Sequence, residues 1–188
     1  MTNEAEQIVR RAAQFVSLLE QMEEMWQART TNRDAFLILD EYPVRTSRKN
    51  APFMPVDDDS PVPTTGNRRG GDTVCHYSQF SCLGDWFYMD LPDITLGPSE
   101  GQRLIQERPG FYYLKDRPDA PTAFKSSFAK SVQDWNPVQK CYRSGEKSMA
   151  AADLVYLWFS LWRVPVDWTF QAKLGHFSGG GNKILLVA

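Results

Sequence analysis

The stretch Ser148–Trp168, SMAAADLVYLWFSLWRVPVDW, constrains the fold more than any other part of the chain. Leu154, Val155, Trp158, Phe159 and Trp162 recur at helical spacing, with Ala151 one turn earlier. The pattern predicts a helix opened by Ser148 as N-cap and stopped before Pro165. A helix apolar around most of its circumference belongs in an interior. Asp153 and Arg163 interrupt the run, which falls short of the ~18 apolar residues of a membrane span. Other segments must therefore bury it.

Residues 3–29 supply a second helix. Ile8, Ala12, Phe15, Leu19, Met22 and Trp26 alternate spacings of four and three, which makes one apolar stripe. Asn3 and Glu6 fit a capping box. Val9, Val16 and Leu18 widen the stripe beyond a coiled-coil seam, so docking on the core is expected rather than helix-mediated dimerisation.

Short apolar or alternating runs fill the remainder. AFLIL (35–39) reads as a buried strand or a helical turn. TVCHYSQF (73–80) and DWFYMDL (85–91) read as paired strands joined through Ser81–Gly84. His76, Ser78 and Phe80 then share one face, and Tyr77 and Gln79 the other. A short helix is expected from Ser99 to Arg108, with Ser99 and Gln102 as its capping box, and another over 123–132. FYYLK (111–115) and VDWTFQA (166–172) read as strands, and KILLV (183–187) as a strand after a glycine-rich turn at 175–182. Strands and helices do not alternate regularly, and no repeat is visible. The expected class is α+β: a single domain whose mostly antiparallel sheet packs against an N-terminal and a C-terminal amphipathic helix.

Within that domain, residues 43–72 differ in composition. Pro52, Pro55, Pro61 and Pro63 oppose regular structure, and the charges come in blocks: Arg45, Arg48 and Lys49, then Asp57–Asp59, then Arg68 and Arg69. A loop this long is commonly a working segment. The formal charge of −2 excludes a global basic field for nucleic acid, so a polyanion would need a local patch. The opening residues are polar and no membrane segment follows. Cys75, Cys82 and Cys141 are an odd set of thiols expected to be reduced in a cytoplasm.

Several constellations could carry chemistry. Arg45, Arg48, Lys49, Asn67, Arg68 and Arg69 are phosphate-binding candidates, because guanidinium groups pair bidentately with phosphate oxygens. Tyr77, Trp86 and Tyr88, with Phe87, are candidates for stacking a base. Glu41, Asp72 and His76 are acid/base candidates. Cys75 or Cys141 beside His76 or His176 would be a nucleophile pair, though neither cysteine lies in a recognisable motif. The cysteines lack close metal-binding spacing and Asp57–Asp59 lacks the EF-hand pattern, so no metal site is expected. Walker A, Rossmann, nucleophile-elbow and HExxH motifs are absent, and no cofactor is indicated.

Two short stretches carry resemblances. Gly66-Asn67-Arg68-Arg69 resembles the phosphate-binding box of the ParB/sulfiredoxin superfamily, which would imply a nucleotide site with Arg68 and Arg69 as ligands. Gly70-Gly71 stands where that family opens a helix. Asn67-Arg68, Thr73-Val74-Cys75 and Gln79-Phe80-Ser81, with Leu174-Gly175-His176-Phe177, resemble parts of SleB-type cell-wall hydrolases. Glu41 is the nearest carboxylate to the position of that family's catalytic Glu.

Three functions follow as expectations. The first is a binding protein that engages a nucleotide or nucleic acid through the basic loop. The second is a protein-interaction or inhibitor protein that uses the proline-rich loop. The third is a hydrolase of the two resembled kinds, with Glu41, Asp72 or His76 assembled only in the fold.

Overall fold

The computed structural model describes residues 4–29, 35–41, 76–92, 95–117, 137–176 and 180–187. Seven strands pair in them: β1 (Phe36–Glu41), β2 (Tyr77–Leu83), β3 (Trp86–Leu91), β4 (Tyr112–Tyr113), β5 (Val138–Arg143), β6 (Phe170–His176) and β7 (Gly180–Leu186). All pairings are antiparallel, and the order across the sheet is β4-β5-β3-β2-β1-β6-β7. The helices are α1 (Glu4–Gln27), α2 (Pro98–Glu107) and α3 (Lys147–Val155), the last continuing as a π-helical turn, Tyr156–Leu161. This is the expected α+β arrangement.

Register separates the sheet into two faces, because side chains directly opposite in neighbouring strands point the same way. Leu37, Phe80, Met89 and Lys140 form one row, and Leu39, Ser78, Leu91 and Val138 the next. This face lies against α1 and α3. Phe15 of α1 meets Phe170 of β6 edge-on at 6.1 Å, and Tyr142 of β5 donates to Asp153 of α3 at 2.9 Å. Phe15, Leu18, Leu19 and Met22 are the buried stripe of α1, so the helix docks on the core as expected. Trp158 is fully buried and Trp162 nearly so. At ~1.5–3 kcal/mol per large apolar side chain, this layer is the main source of stability.

Two polar side chains brace it. Arg11, on the same helix face, is buried beneath α1. It donates to the carbonyls of Val166 (3.0 Å), Leu186 (3.2 Å) and Trp168, and lies over the Phe170 ring. Asp153 is fully buried and takes Lys140 Nζ at 2.7 Å, the Tyr142 hydroxyl at 2.9 Å and Arg108 Nε at 2.7 Å. Both its oxygens are engaged, so this cluster ties α2, β5 and α3 together.

Several local expectations are corrected. Ser148 does not cap α3, which begins at Lys147 with Glu146 before it and no side-chain cap bond. Ser99 and Gln102 do not cap α2. Pro98 opens that helix, and the Gly97 N–H donates to Glu100 Oε2 at 2.7 Å. Pro at the first helical position is favoured because its fixed φ is already helical and its missing N–H would have had no partner. The β2–β3 connection is shorter than Ser81–Gly84. Strand pairing runs through Leu83–Trp86, and Gly84 supplies the positive φ (65°) that a two-residue turn needs. The 35–39 run is a strand. The 111–115 run pairs only at Tyr112–Tyr113 and then tightens into a 3-10 turn. The closing hairpin forms, but residues 166–169 precede β6 rather than belong to it, and β6 and β7 extend into the expected turn. The helix expected over 123–132 and the Asn3 cap lie outside the described residues.

Candidate functional site

β1 ends on Glu41, and the chain re-enters the sheet at His76, immediately before β2. One position beyond the Asp40–Tyr77 pair, these two side chains meet across the strands. Glu41 Oε1 lies 2.6 Å from His76 Nδ1, with side-chain exposures of 2% and 16%. Glu41 stands opposite Phe170 on its other side. The His76 ring stacks on Trp162, with centroids 4.7 Å apart and planes 19° apart, and meets Trp158 edge-on at 6.5 Å. Trp158 is itself edge-on to Trp162 (4.7 Å) and to Phe170 (4.9 Å).

The core helix changes form where it delivers these indoles. After α3 the ladder widens: the Trp162 N–H reaches back five residues to the Leu157 carbonyl (3.0 Å), and that of Val164 to Trp158 (2.9 Å). Arg163 is then left-handed, with φ of 55°, the one non-glycine residue of this kind among those described. A left-handed side-chain-bearing residue costs roughly 1–2 kcal/mol. π-helical turns and strained backbone both concentrate at functional sites. The indole N–H groups of Trp158 and Trp162 are buried and have no hydrogen-bond partner among the described residues. The π-helical segment and its end thus carry the two indoles whose rings pack on His76, and the left-handed residue follows directly.

A carboxylate held on Nδ1 fixes the orientation and tautomer of an imidazole and leaves Nε2 to exchange a proton. The stacked indole restricts the ring further. The pair can therefore serve as an oriented acid/base unit in a largely dry setting.

The opposite face of the sheet is also polar inside. Gln79, Asp90, Gln139 and Tyr112 form one row across β2, β3, β5 and β4. The Tyr112 hydroxyl donates to Gln139 Oε1 (2.5 Å), and Gln139 Nε2 donates to Asp90 Oδ1 (2.9 Å). Burial pushes the Asp90 carboxyl up to about 7, against the opposing effect of the Gln139 hydrogen bond. Burial raises Asp40 to about 7 as well, with Lys173 acting in the opposite sense.

Among the sequence-predicted site residues, Glu41 and His76 are brought together. Tyr77, Trp86 and Tyr88 all lie on the outer face of the sheet, away from the helices. Trp86 is 45% exposed with the Arg143 guanidinium 5.4 Å over its ring, Tyr77 is half-buried and Tyr88 is buried. Arg45, Arg48, Lys49, Asn67, Arg68, Arg69 and Asp72 lie outside the described residues, as do Cys75 and Asp57–Asp59. Cys141 sits on the face opposite His76, within 3.4 Å of the Tyr112 hydroxyl, so those two make no nucleophile pair. Burial raises its thiol pKa and lifts that of Cys82 to about 12, which disfavours the reactive thiolate in both. Among the described residues no group of three or more His, Cys, Asp or Glu could hold a metal ion, and no helix is long and apolar enough to cross a membrane.

Sequence reasoning placed Trp158 and Trp162 in the core without assigning them to a site. Their helical spacing carries the first role, and nothing in it reveals the π-helical turn. Asp90 was hidden in an apolar strand, where one acidic residue among aromatics was the available signal. Comparison with known proteins finds no matching family, no matching curated protein and no matching solved structure.

Proposed function

We propose that this chain is a phosphoester-binding hydrolase in which His76 moves the proton. The observation that supports it is the 2.6 Å contact between Glu41 Oε1 and His76 Nδ1 beside the two indoles. The connection 42–75 joins these two residues and carries Arg45, Arg48, Lys49, Arg68 and Arg69. Those cations suit phosphate oxygens. In the reaction, His76 Nε2 takes a proton from water as the water oxygen bonds to phosphorus. The phosphorus–oxygen bond to the leaving alcohol breaks, and His76 returns the proton to that oxygen.

Bis(p-nitrophenyl) phosphate and ATP are the substrates to assay. His76→Gln should lose roughly 10²–10⁴ of turnover, and Glu41→Gln a smaller factor, with ATP binding retained in both. Arg68→Ala/Arg69→Ala should weaken binding and reduce its salt dependence. Full turnover in His76→Gln, or none in the unaltered chain, would sink the hydrolase reading.

A second reading is polyanion binding without catalysis, using Trp86 as a stacking platform. It is favoured by the exposure of that ring beneath Arg143. Salt-sensitive binding of single-stranded DNA, lost in Trp86→Ala and unaffected by His76→Gln, would select it.

A further inference from the structure

Two different elements hold the imidazole of His76. Glu41, the last residue of β1, restrains one ring atom: its Oε1 lies 2.6 Å from Nδ1. A hydrogen bond to one atom sets a direction and still lets the ring turn about it, because the terminal torsion of histidine has broad wells. The plane is set by Trp162, which follows the π-helical turn and stacks on the ring at 4.7 Å with planes 19° apart. Trp158 meets the same ring edge-on at 6.5 Å, a contact that bounds the ring without fixing its plane. Trp162 is itself located by its edge-on contact with Trp158 at 4.7 Å and by its backbone bond to the Leu157 carbonyl at 3.0 Å. Its indole N–H is buried and has no partner among the described residues. What this side chain offers His76 is therefore its ring face, a property that phenylalanine shares and leucine lacks.

We propose that Trp162 is a positioning residue. Its ring face keeps the His76 imidazole in the plane where Nδ1–H points at Glu41, so that neutral His76 is held as one tautomer, with the lone pair on Nε2. A free imidazole prefers the other tautomer, so both restraints are needed. The effect on turnover rests on the hydrolase reading, in which Nε2 takes the proton from water. The tautomer itself requires no substrate.

The chain has two histidines, so isotope labelling of histidine, with His176→Gln as the reference, assigns both rings. At about pH 9, above the ordinary imidazole pKa, long-range proton–nitrogen spectra should show His76 with a protonated Nδ1 and a bare Nε2. Trp162→Phe should keep that pattern. Trp162→Leu should move both nitrogens toward a mixture of tautomers although Glu41 is intact. Turnover of bis(p-nitrophenyl) phosphate should fall by roughly 10²-fold in Trp162→Leu, through kcat rather than KM, and largely recover in Trp162→Phe. A proton on Nε2 in the unaltered chain would overturn the proposal, as would an unchanged Nδ1–H pattern in a folded Trp162→Leu variant. Should that variant not fold, Trp162→Phe decides, and loss of the Nδ1–H form there would count against the ring face. Absence of turnover in the unaltered chain would remove the hydrolase reading while the spectra still decide the role of Trp162.

Discussion

At the residue scale, Asp90 shows how a single side chain can act against stability. Its carboxyl titrates near 7 in the fold because burial disfavours the charge, and near 3.9 in an unfolded chain. Between those values the native state holds a proton that the unfolded state has released, so raising the pH favours unfolding. Relative to Asp90→Asn, the unaltered chain should lose stability as pH rises from about 4 to about 7, by on the order of 4 kcal/mol in all. Urea denaturation of both proteins at pH 5, 6, 7 and 8 checks this, and parallel stability curves would refute it. Glu41 and His76 were recognisable as acid/base candidates in the sequence. Their pairing was not, because it depends on the β1–β2 register across a long connection. Arg163 gave no signal either, since tertiary packing can force almost any residue type into a left-handed backbone.

At the element scale, the C-terminal core helix is held by one carboxylate as much as by its apolar side chains. Asp153 was visible in the sequence as an interruption of the apolar run, and the structure gives its reason. It pairs with both Lys140 and Arg108 while accepting from Tyr142. Removing one partner of a buried charge cluster costs about 3–5 kcal/mol, because the remaining charges stay buried. Asp153→Ala should therefore lose about that much, whereas Asp153→Ala/Lys140→Met should recover a substantial part by removing the orphaned ammonium. A double-mutant cycle in guanidinium chloride measures the coupling, and strictly additive losses would show that the pair does not interact. The α2 cap illustrates the limit of motif reading. Ser99 and Gln102 have the right spacing, yet Pro98 sets the start one residue earlier and the Gly97 N–H turns to Glu100.

At the scale of the whole molecule, Arg11 links the two ends of the chain. Its guanidinium, on the first helix, holds carbonyls at 166, 168 and 186, the last at the end of the closing strand. Arg11→Met keeps most of the buried stem but removes these bonds. Amide exchange in β7 should then quicken by roughly tenfold or more, while α3 amides respond much less. Equal acceleration throughout would mean that Arg11 supports global rather than local stability. The apolar periodicities of residues 3–29 and 148–162 were enough to determine two core-facing helices, and the irregular element order was enough to determine an α+β fold, because helical spacing and burial are local properties of the chain. Which strands became neighbours was decided only by tertiary structure. β1 sits between β2 and β6 because its two faces and both its edges must be covered by segments distant in sequence. The same long-range pairing brought Glu41 to His76 and aligned Gln79 with Asp90 and Gln139, contacts that no local spacing encodes.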